Sequence, residues 1–343
     1  MRKRIISYIL ALICVFVCTS PAFANDTQTN RDRYIEYINS FEESDTISTT
    51  DFMKVIFDLN DIDMSLFDHY IVKRNYIVNS FRIDQKVTRE TALIDIMRSF
   101  MLIPDPDKIN LYPWEDATYC GLTKQELAYI SYAKELGITN GISSTKFGFN
   151  CPVTIKQIKS FIENINQLED LSELQTKFQL NYVIDETVMS LDSLCIPLIT
   201  EYLYSLPDNV EKSIIDHKWS IVLCSDTIPD YNANAIGLTS YRNLEVSIIT
   251  ISTHTWDRDF TEIMTHEFGH VLHDLSGFKP LSEEILTKEK PNLASDYREY
   301  ANTNEYEYIA CSWYYMSIIG ETNFSNKYPE TYAYINEMLS SIK

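Results

Sequence analysis

The residues able to do chemistry concentrate in one stretch, "DFTEIMTHEFGHVLHDLSG", from Asp259 to Gly277. His266 and His270 stand four apart, and residues four apart on a helix share a face, so both imidazoles can reach one ion. Glu267, beside the first histidine, is placed to take a proton from water at the ion rather than to bind the ion itself. That is the HExxH arrangement, whose usual occupant is Zn²⁺. The chain holds only six histidines, so a chance occurrence has odds on the order of one in a hundred. Gly269, inside the motif, permits close approach by another backbone element.

Two histidines leave a catalytic site one protein ligand short, with a further position kept open for water. His273 lies seven residues from His266 on nearly the same face. Seven residues advance a helix by roughly 10 Å, too far for one ion, so His273 reads as a packing or surface histidine. No histidine follows it. The third ligand is therefore expected to be a carboxylate from another helix, and acids cluster in "SDYREYANTNEYEYIACSWYYMSIIG", residues 295 to 320.

The elements that must position these groups are legible in outline. Ile263, Met264, Val271, Leu272 and Leu275 give the motif segment a helical packing face. "KWSIVLCSD" (218–226) and "LEVSIITIS" (244–252) are rich in β-branched residues and predict strands. "ANAIGLTSY" between them predicts a third, with Gly237 allowing a bend or a close approach. The remainder is mostly helical, closing on an amphipathic helix through Tyr332, Ile335, Met338, Leu339 and Ile342. The 23 tyrosines fit interior packing with wet rims better than a carbohydrate platform. No Gly-rich phosphate loop, GxSxG elbow or Cys-His nucleophile pattern occurs.

"HEFGH" followed by "EYANTNEYEYIACSWYYM" resembles the zinc metallopeptidase family of anthrax lethal factor and the Pro-Pro endopeptidases secreted by clostridia and their relatives. The resemblance covers about residues 170–343 and implies a zincin-type domain. A tyrosine and a glutamate seven residues apart flank a "TN" in that family. Carried over, Tyr300 helps stabilise the transition state, Thr303-Asn304 is the "TN", and Glu307 joins His266 and His270 as the third ligand of one Zn²⁺. Glu305 would break the seven-residue spacing. Glu267 and Tyr300 are then the catalytic residues, and the substrate is an extended peptide or protein laid along an edge strand, for which Gly237 to Tyr241 is the candidate. Such an ion lowers the pKa of its water to about 7, Glu267 moves the proton to the leaving nitrogen, and Tyr300 steadies the oxyanion. The family carries an acid four positions after the ligand glutamate, where this chain has Cys311. A thiol is a weak acceptor, and losing such a partner costs about 10–100-fold in metal affinity or activity.

Upstream, "QKVTRETALIDIMRSFML" and "CPVTIKQIKSFIENI" form a weak repeat in which Thr88 and Thr154 are each natural helix N-caps. Leu93, Ile96, Met97, Phe100 and Met101 recur at helical spacing in the first copy, and Ile155, Ile158, Ile162 and Ile165 in the second. Between them Thr123 and Glu126 predict a capping box, with Gly137 ending the helix. "VTRETA", "WED" at 114–116, "KELGITNG" at 134–141 and "FGFNCPVT" at 147–154 resemble an S-layer homology domain. Such domains hold proteins on cell-wall polymers, which makes a wall polymer a candidate partner. The basic "TR" stands at Thr88-Arg89, the second copy reads "TIK", and any copy around "TTDFMKVIFDL" is eroded.

The start, "MRKRIISYILALICVFVCTSPAFAND", reads as a signal peptide: basic Arg2, Lys3 and Arg4, an apolar run to Val17, and Ala22-Phe23-Ala24 before a cut after Ala24. The apolar run is too short to span comfortably as an anchor. Cleavage removes three positive charges and moves the net charge from -20 to -23, which argues against a nucleic-acid partner. Five cysteines remain, and without regular spacing they make no disulfide framework, with Cys120 and Cys151 the one candidate pair. The plan is thus a signal at 1–24, a polar linker at 25–50, a helical S-layer homology-like domain at 51–168, and a metallopeptidase domain at 170–343. The expected class is α+β, with no transmembrane segment in the mature chain and a secreted, wall- or surface-associated product. The expected function is a zinc endopeptidase acting on extracellular proteins, with proline-rich sites suggested by the resemblance. A wall-associated binding protein with a decayed, inactive peptidase domain is the alternative, motivated by Cys311. Against it, His266, Glu267, His270 and Glu307 are all present.

Overall fold

The computed structural model describes residues 38–62, 85–112, 114–119, 121–176, 180–184, 192–224, 235–249 and 260–343. The expected signal peptide and Cys120 lie outside these residues. The fold is α+β, with many helices around a small mixed sheet. No helix among the described residues is long and apolar enough to cross a membrane.

The N-terminal helices form where side-chain caps meet apolar stripes. Helix α1 (Thr49–Leu59) is capped by Ser48, α2 (Arg89–Ser99) by Thr88, α3 (Lys124–Glu135) by the Thr123–Glu126 capping box, and α4 (Ile155–Asn166) by a second such box of Thr154 and Gln157. The cap oxygen satisfies an amide that has no partner inside the helix. Expected stripe residues Leu93, Ile96, Met97, Ile155, Ile158, Ile162 and Ile165 are all buried. Helix α2 stops at Ser99, two residues short of the apolar pattern, where Met101 turns left-handed with φ 55°.

Short bridges tie the capped starts together. Thr46 pairs with Thr154, Ser48 with Lys86, and Thr88 with Pro152, closing a ring of three extended segments. Each of the three leads into a capped helix. The segment at Ser48 is therefore the structural equal of the copies at Thr88 and Thr154, although its sequence has lost the resemblance. Of the polar linker expected over 25–50, residues 25–37 lie outside the described residues. From Ile38 onward that stretch belongs to the packed unit, since Ile38 and Ile47 are both buried and Val87 N–H donates to the Ile47 carbonyl.

Among the described residues the C-terminal half holds four strands, β1 (Asn181–Ile184), β2 (Ser220–Cys224), β3 (Gly237–Ser240) and β4 (Glu245–Ile249), in the order β1-β2-β4-β3. β1, β2 and β4 run parallel, whereas β3 pairs antiparallel with β4 and ends the sheet. Between β1 and β2 come α5 (Asp192–Tyr204) and α6 (Asp208–Asp216), the crossover a parallel pair requires. The motif helix α7 (Phe260–Leu275) packs on β3 and β4. A π-turn at Ile285–Glu289 and α8 (Lys290–Asp296) lead to α9 (Glu305–Ile319), followed by α10 (Glu321–Lys327) and α11 (Pro329–Ser341).

The apolar core does not stop between the two halves. Buried side chains of α2 and α3 belong to the same cluster as those of α5 and α7. At this junction the Arg98 guanidinium sits 2.9 Å from the buried Asp95 carboxylate and also reaches Glu201 on α5. Loss of solvation pushes Asp95 up to about 6 against the opposing pull of Arg98. A carboxyl whose folded pKa lies above its unfolded value favours the fold below that unfolded value, and the benefit disappears as pH rises through the folded value. Asp95→Asn is therefore expected to raise the melting temperature over wild type at pH 8, with the gain shrinking toward pH 4.5. Melts followed by circular dichroism at both pH values check this.

Candidate metal centre

Two helices build the centre, and their close crossing depends on one glycine. A Cβ on Gly269 of α7 would lie 2.8 Å from Ala310 Cα of α9, closer than packed atoms come. Glycine there lets α7 and α9 approach until their functional side chains meet. Helix periodicity turns His266 and His270 to that seam together, with ring centroids 5.0 Å apart. Asn304 caps α9, its side-chain oxygen accepting the Glu307 amide at 2.9 Å. That cap fixes the first turn and aims Glu307 at the histidines. The same turn offers a positive dipole end that favours a carboxylate.

The result is convergence. Glu307 Oε2 lies 3.1 Å from His266 Nε2 and 3.5 Å from His270 Nε2, and the three ligand atoms all fall within 4.8 Å of one another. An ion bound tetrahedrally at about 2.0–2.2 Å from each ligand needs them about 3.3–3.6 Å apart, so this donor set fits a metal ion. Burial alone would raise the Glu307 pKa, but hydrogen bonds to His266 and His270 hold it far below the usual carboxylate range. Glu307 is thus ionised, the form that ligates. His270 is buried, which disfavours its charge, yet the hydrogen bond to Glu307 and the charges of Glu267 and Glu307 raise its pKa overall.

The other expected residues fall around this seam. Glu267 is buried and stands outside the ligand triad. The Thr239 hydroxyl, on β3, donates to its carboxylate at 2.7 Å. Gly237 supplies the room: a Cβ there would meet Glu267 Oε1 at 2.5 Å. Tyr300, on a 3₁₀ turn (Glu299–Asn302), is 43% exposed, and its ring centroid is 6.2 Å from that of His266. Partial burial, and then the Glu307 carboxylate, push its hydroxyl pKa up, so it remains a proton donor. The Arg298 guanidinium lies over the ring at 5.0 Å. Glu305 is not among the converging groups. His273 is buried, with Nε2 3.0 Å from the Tyr334 hydroxyl and its ring against Phe278 and Tyr306. It packs, as its seven-residue offset predicts.

Cys311 faces the first ligand. Its sulfur lies 3.9 Å from His266 Nδ1, where an outer partner would fix the imidazole tautomer. The sulfur offers only a weak acceptor at that distance. His270 Nδ1 has no partner at all among the described residues. Sequence reasoning missed Thr239 entirely, because the contact joins a strand to a helix across 28 residues and no local pattern marks it. Compared with known proteins, the chain matches no family model and no curated relative.

Two outcomes follow for metal binding. The apoprotein is expected to take up one divalent ion per chain. His266→Ala, His270→Ala and Glu307→Ala should each abolish stoichiometric uptake, while Tyr300→Phe keeps it, as read by elemental analysis after dialysis. Cys311→Asp should tighten zinc binding about tenfold by giving His266 Nδ1 a strong acceptor, as read by chelator competition.

Proposed function

We propose that this chain is a secreted zinc endopeptidase whose C-terminal half is a zincin-type domain, acting on extended segments of extracellular or cell-surface proteins. The observation that carries the reading is the placement of Glu267. Its carboxylate lies between the ligand-bearing helix and β3, beside the His266–His270–Glu307 triad yet not part of it. A base so placed touches the strand along which a peptide would lie, from the helix that carries His266 and His270. β3 ends the sheet order, with no strand on its other side among the described residues, which suits strand addition by a substrate backbone.

When bound, a divalent ion supplies Lewis-acid chemistry, polarising the substrate carbonyl and making water a nucleophile near neutral pH. The chain's own groups do the remainder. Glu267 accepts a proton from the attacking water and returns it to the amide nitrogen as the C–N bond breaks, leaving a new amine and a new carboxylic acid that releases its proton to solvent. Thr239 holds the Glu267 carboxylate in place. Tyr300, kept protonated and part-exposed beside His266, donates to the carbonyl oxygen as negative charge builds there.

The resemblance of "HEFGH" and "EYANTNEYEYIACSWYYM" to the lethal factor and Pro-Pro endopeptidase family supports zinc as the ion and a proline-containing linker as the substrate. Secretion rests on the signal-like first 24 residues. For the N-terminal half, the three capped segments in a ring support descent from an S-layer homology-type module. Arg89 does not reach out to a wall polymer. It is buried, donates to Thr139 at 3.0 Å and lies over Phe147 and Phe161. Attachment to the wall would fall to other residues.

The test is incubation of the zinc-loaded mature chain with a proline-rich peptide library, with products read by mass spectrometry. New termini at defined bonds are expected, and Glu267→Gln should lower kcat/KM by roughly 10²–10⁴-fold while keeping its metal. Complete inactivity across varied peptides at metal saturation, or an undiminished Glu267→Gln variant, would contradict the reading.

A further inference from the structure

We propose that the N-terminal helical half is a working part of the metal centre, setting the spacing of its two ligand-bearing helices through α5. The inference rests on the reading that His266, His270 and Glu307 hold an ion. Two adjacent residues of α5 carry it, Glu201 and Tyr202.

Glu201 is gripped from the N-terminal half. Arg98 of α2 approaches it with two nitrogens, Nε to Oε1 at 2.7 Å and Nη2 to Oε2 at 2.8 Å. The Tyr129 hydroxyl of α3 donates to Oε1 at 2.7 Å. Arg98 is in turn held by Asp95 at 2.9 Å and lies over the Tyr129 ring at 5.7 Å. The side chains of Arg98, Asp95 and Glu201 are 17%, 3% and 13% exposed. A two-pronged guanidinium contact fixes direction as well as distance, which a lysine cannot reproduce. Burying charge gains little stability over apolar packing, and its best-attested use is to specify one arrangement over others.

Tyr202 passes that arrangement on. Its hydroxyl accepts the Trp313 indole N–H at 2.7 Å, and its ring packs on Phe268 with centroids 4.9 Å apart. Phe268 stands between His266 and His270 on α7. Trp313 follows Glu307 on α9, and its Cβ lies 3.3 Å from where a Cβ of Gly269 would be. One side chain thus bears on both helices at their crossing. A zinc site tolerates ligand displacements of only about 0.2 Å, so a wedge held from outside the crossing bears directly on affinity. Arg98, Glu201 and Tyr202 are positioning residues, since none belongs to the ligand triad.

The experiment compares wild type with Arg98→Met/Glu201→Met, which exchanges the ion pair for apolar side chains, and with Tyr202→Phe, which removes only the hydrogen bond to Trp313. Zinc affinity is read by chelator competition, geometry by the visible absorption of the Co²⁺-loaded protein, and folding by the melting temperature of the apoprotein. Both variants are expected to bind zinc about tenfold more weakly with altered Co²⁺ bands, and Tyr202→Phe to melt within a few degrees of wild type. Unchanged affinity and bands in Tyr202→Phe, or in a folded double variant, would overturn the proposal. Should the double variant fail to fold, Tyr129→Phe, which removes one hydrogen bond from Glu201, replaces it, and unchanged affinity and bands there would overturn the proposal. A wild-type chain that takes up neither zinc nor cobalt fails at the metal site itself, before α5 enters.

Discussion

The whole arrangement turns on how closely α7 can approach α9. Gly269 lies against Ala310, and the missing side chain brings the two axes near enough for the Glu307 carboxylate to reach both imidazoles. Any side chain at 269 would push Ala310 away and carry Glu307 with it. The Asn304 cap then sets the pitch of the first turn of α9, so the acid arrives at the right height as well as the right distance. A second close approach, of Gly237 to Glu267, does the same for the Glu267 carboxylate. Two absent side chains thus shape a site whose chemistry belongs to other residues.

Around that seam the surroundings divide the labour among the ionisable groups. Glu307 is kept ionised by its histidine partners, and Tyr300 is kept protonated by partial burial beside Glu307. Glu267, held by Thr239, remains outside the triad. An ionised carboxylate, a protonated hydroxyl and a further carboxylate outside the triad are thereby set apart within one small region. At Cys311 the environment is less complete, because a thiol 3.9 Å from His266 Nδ1 holds the ring more weakly than a carboxylate would.

What could be read from the chain and what could not divide along sequence distance. The motif helix, the capped starts at Thr88, Thr123 and Thr154, and the strands around Ile221 and Val246 are local patterns, and all are present. Strand β1 is only four residues long, and α5 carries Pro197 in its interior, which argues against a helix on propensity alone. The segment at Ser48 hid its equivalence to the other two because it lacks their Val-Thr start and lies nearer its neighbour. Pairing with residues 86 and 154 is what reveals it. The contacts that tie the site together, Thr239 to Glu267 and Tyr202 to Trp313, bridge 28 and 111 residues. Nothing in a short window encodes them. The proposed third ligand came from resemblance, and the structure places it with the two histidines while leaving Glu305 outside.

The most direct test is X-ray absorption at the zinc edge of the loaded, full-length chain. The expected result is a shell of two imidazole nitrogens at about 2.0–2.1 Å with a carboxylate oxygen at about 2.0–2.2 Å, lost in part when Glu307 is replaced by alanine. A sulfur at about 2.3 Å, which would make Cys311 a ligand, or a shell with a single imidazole, would contradict it.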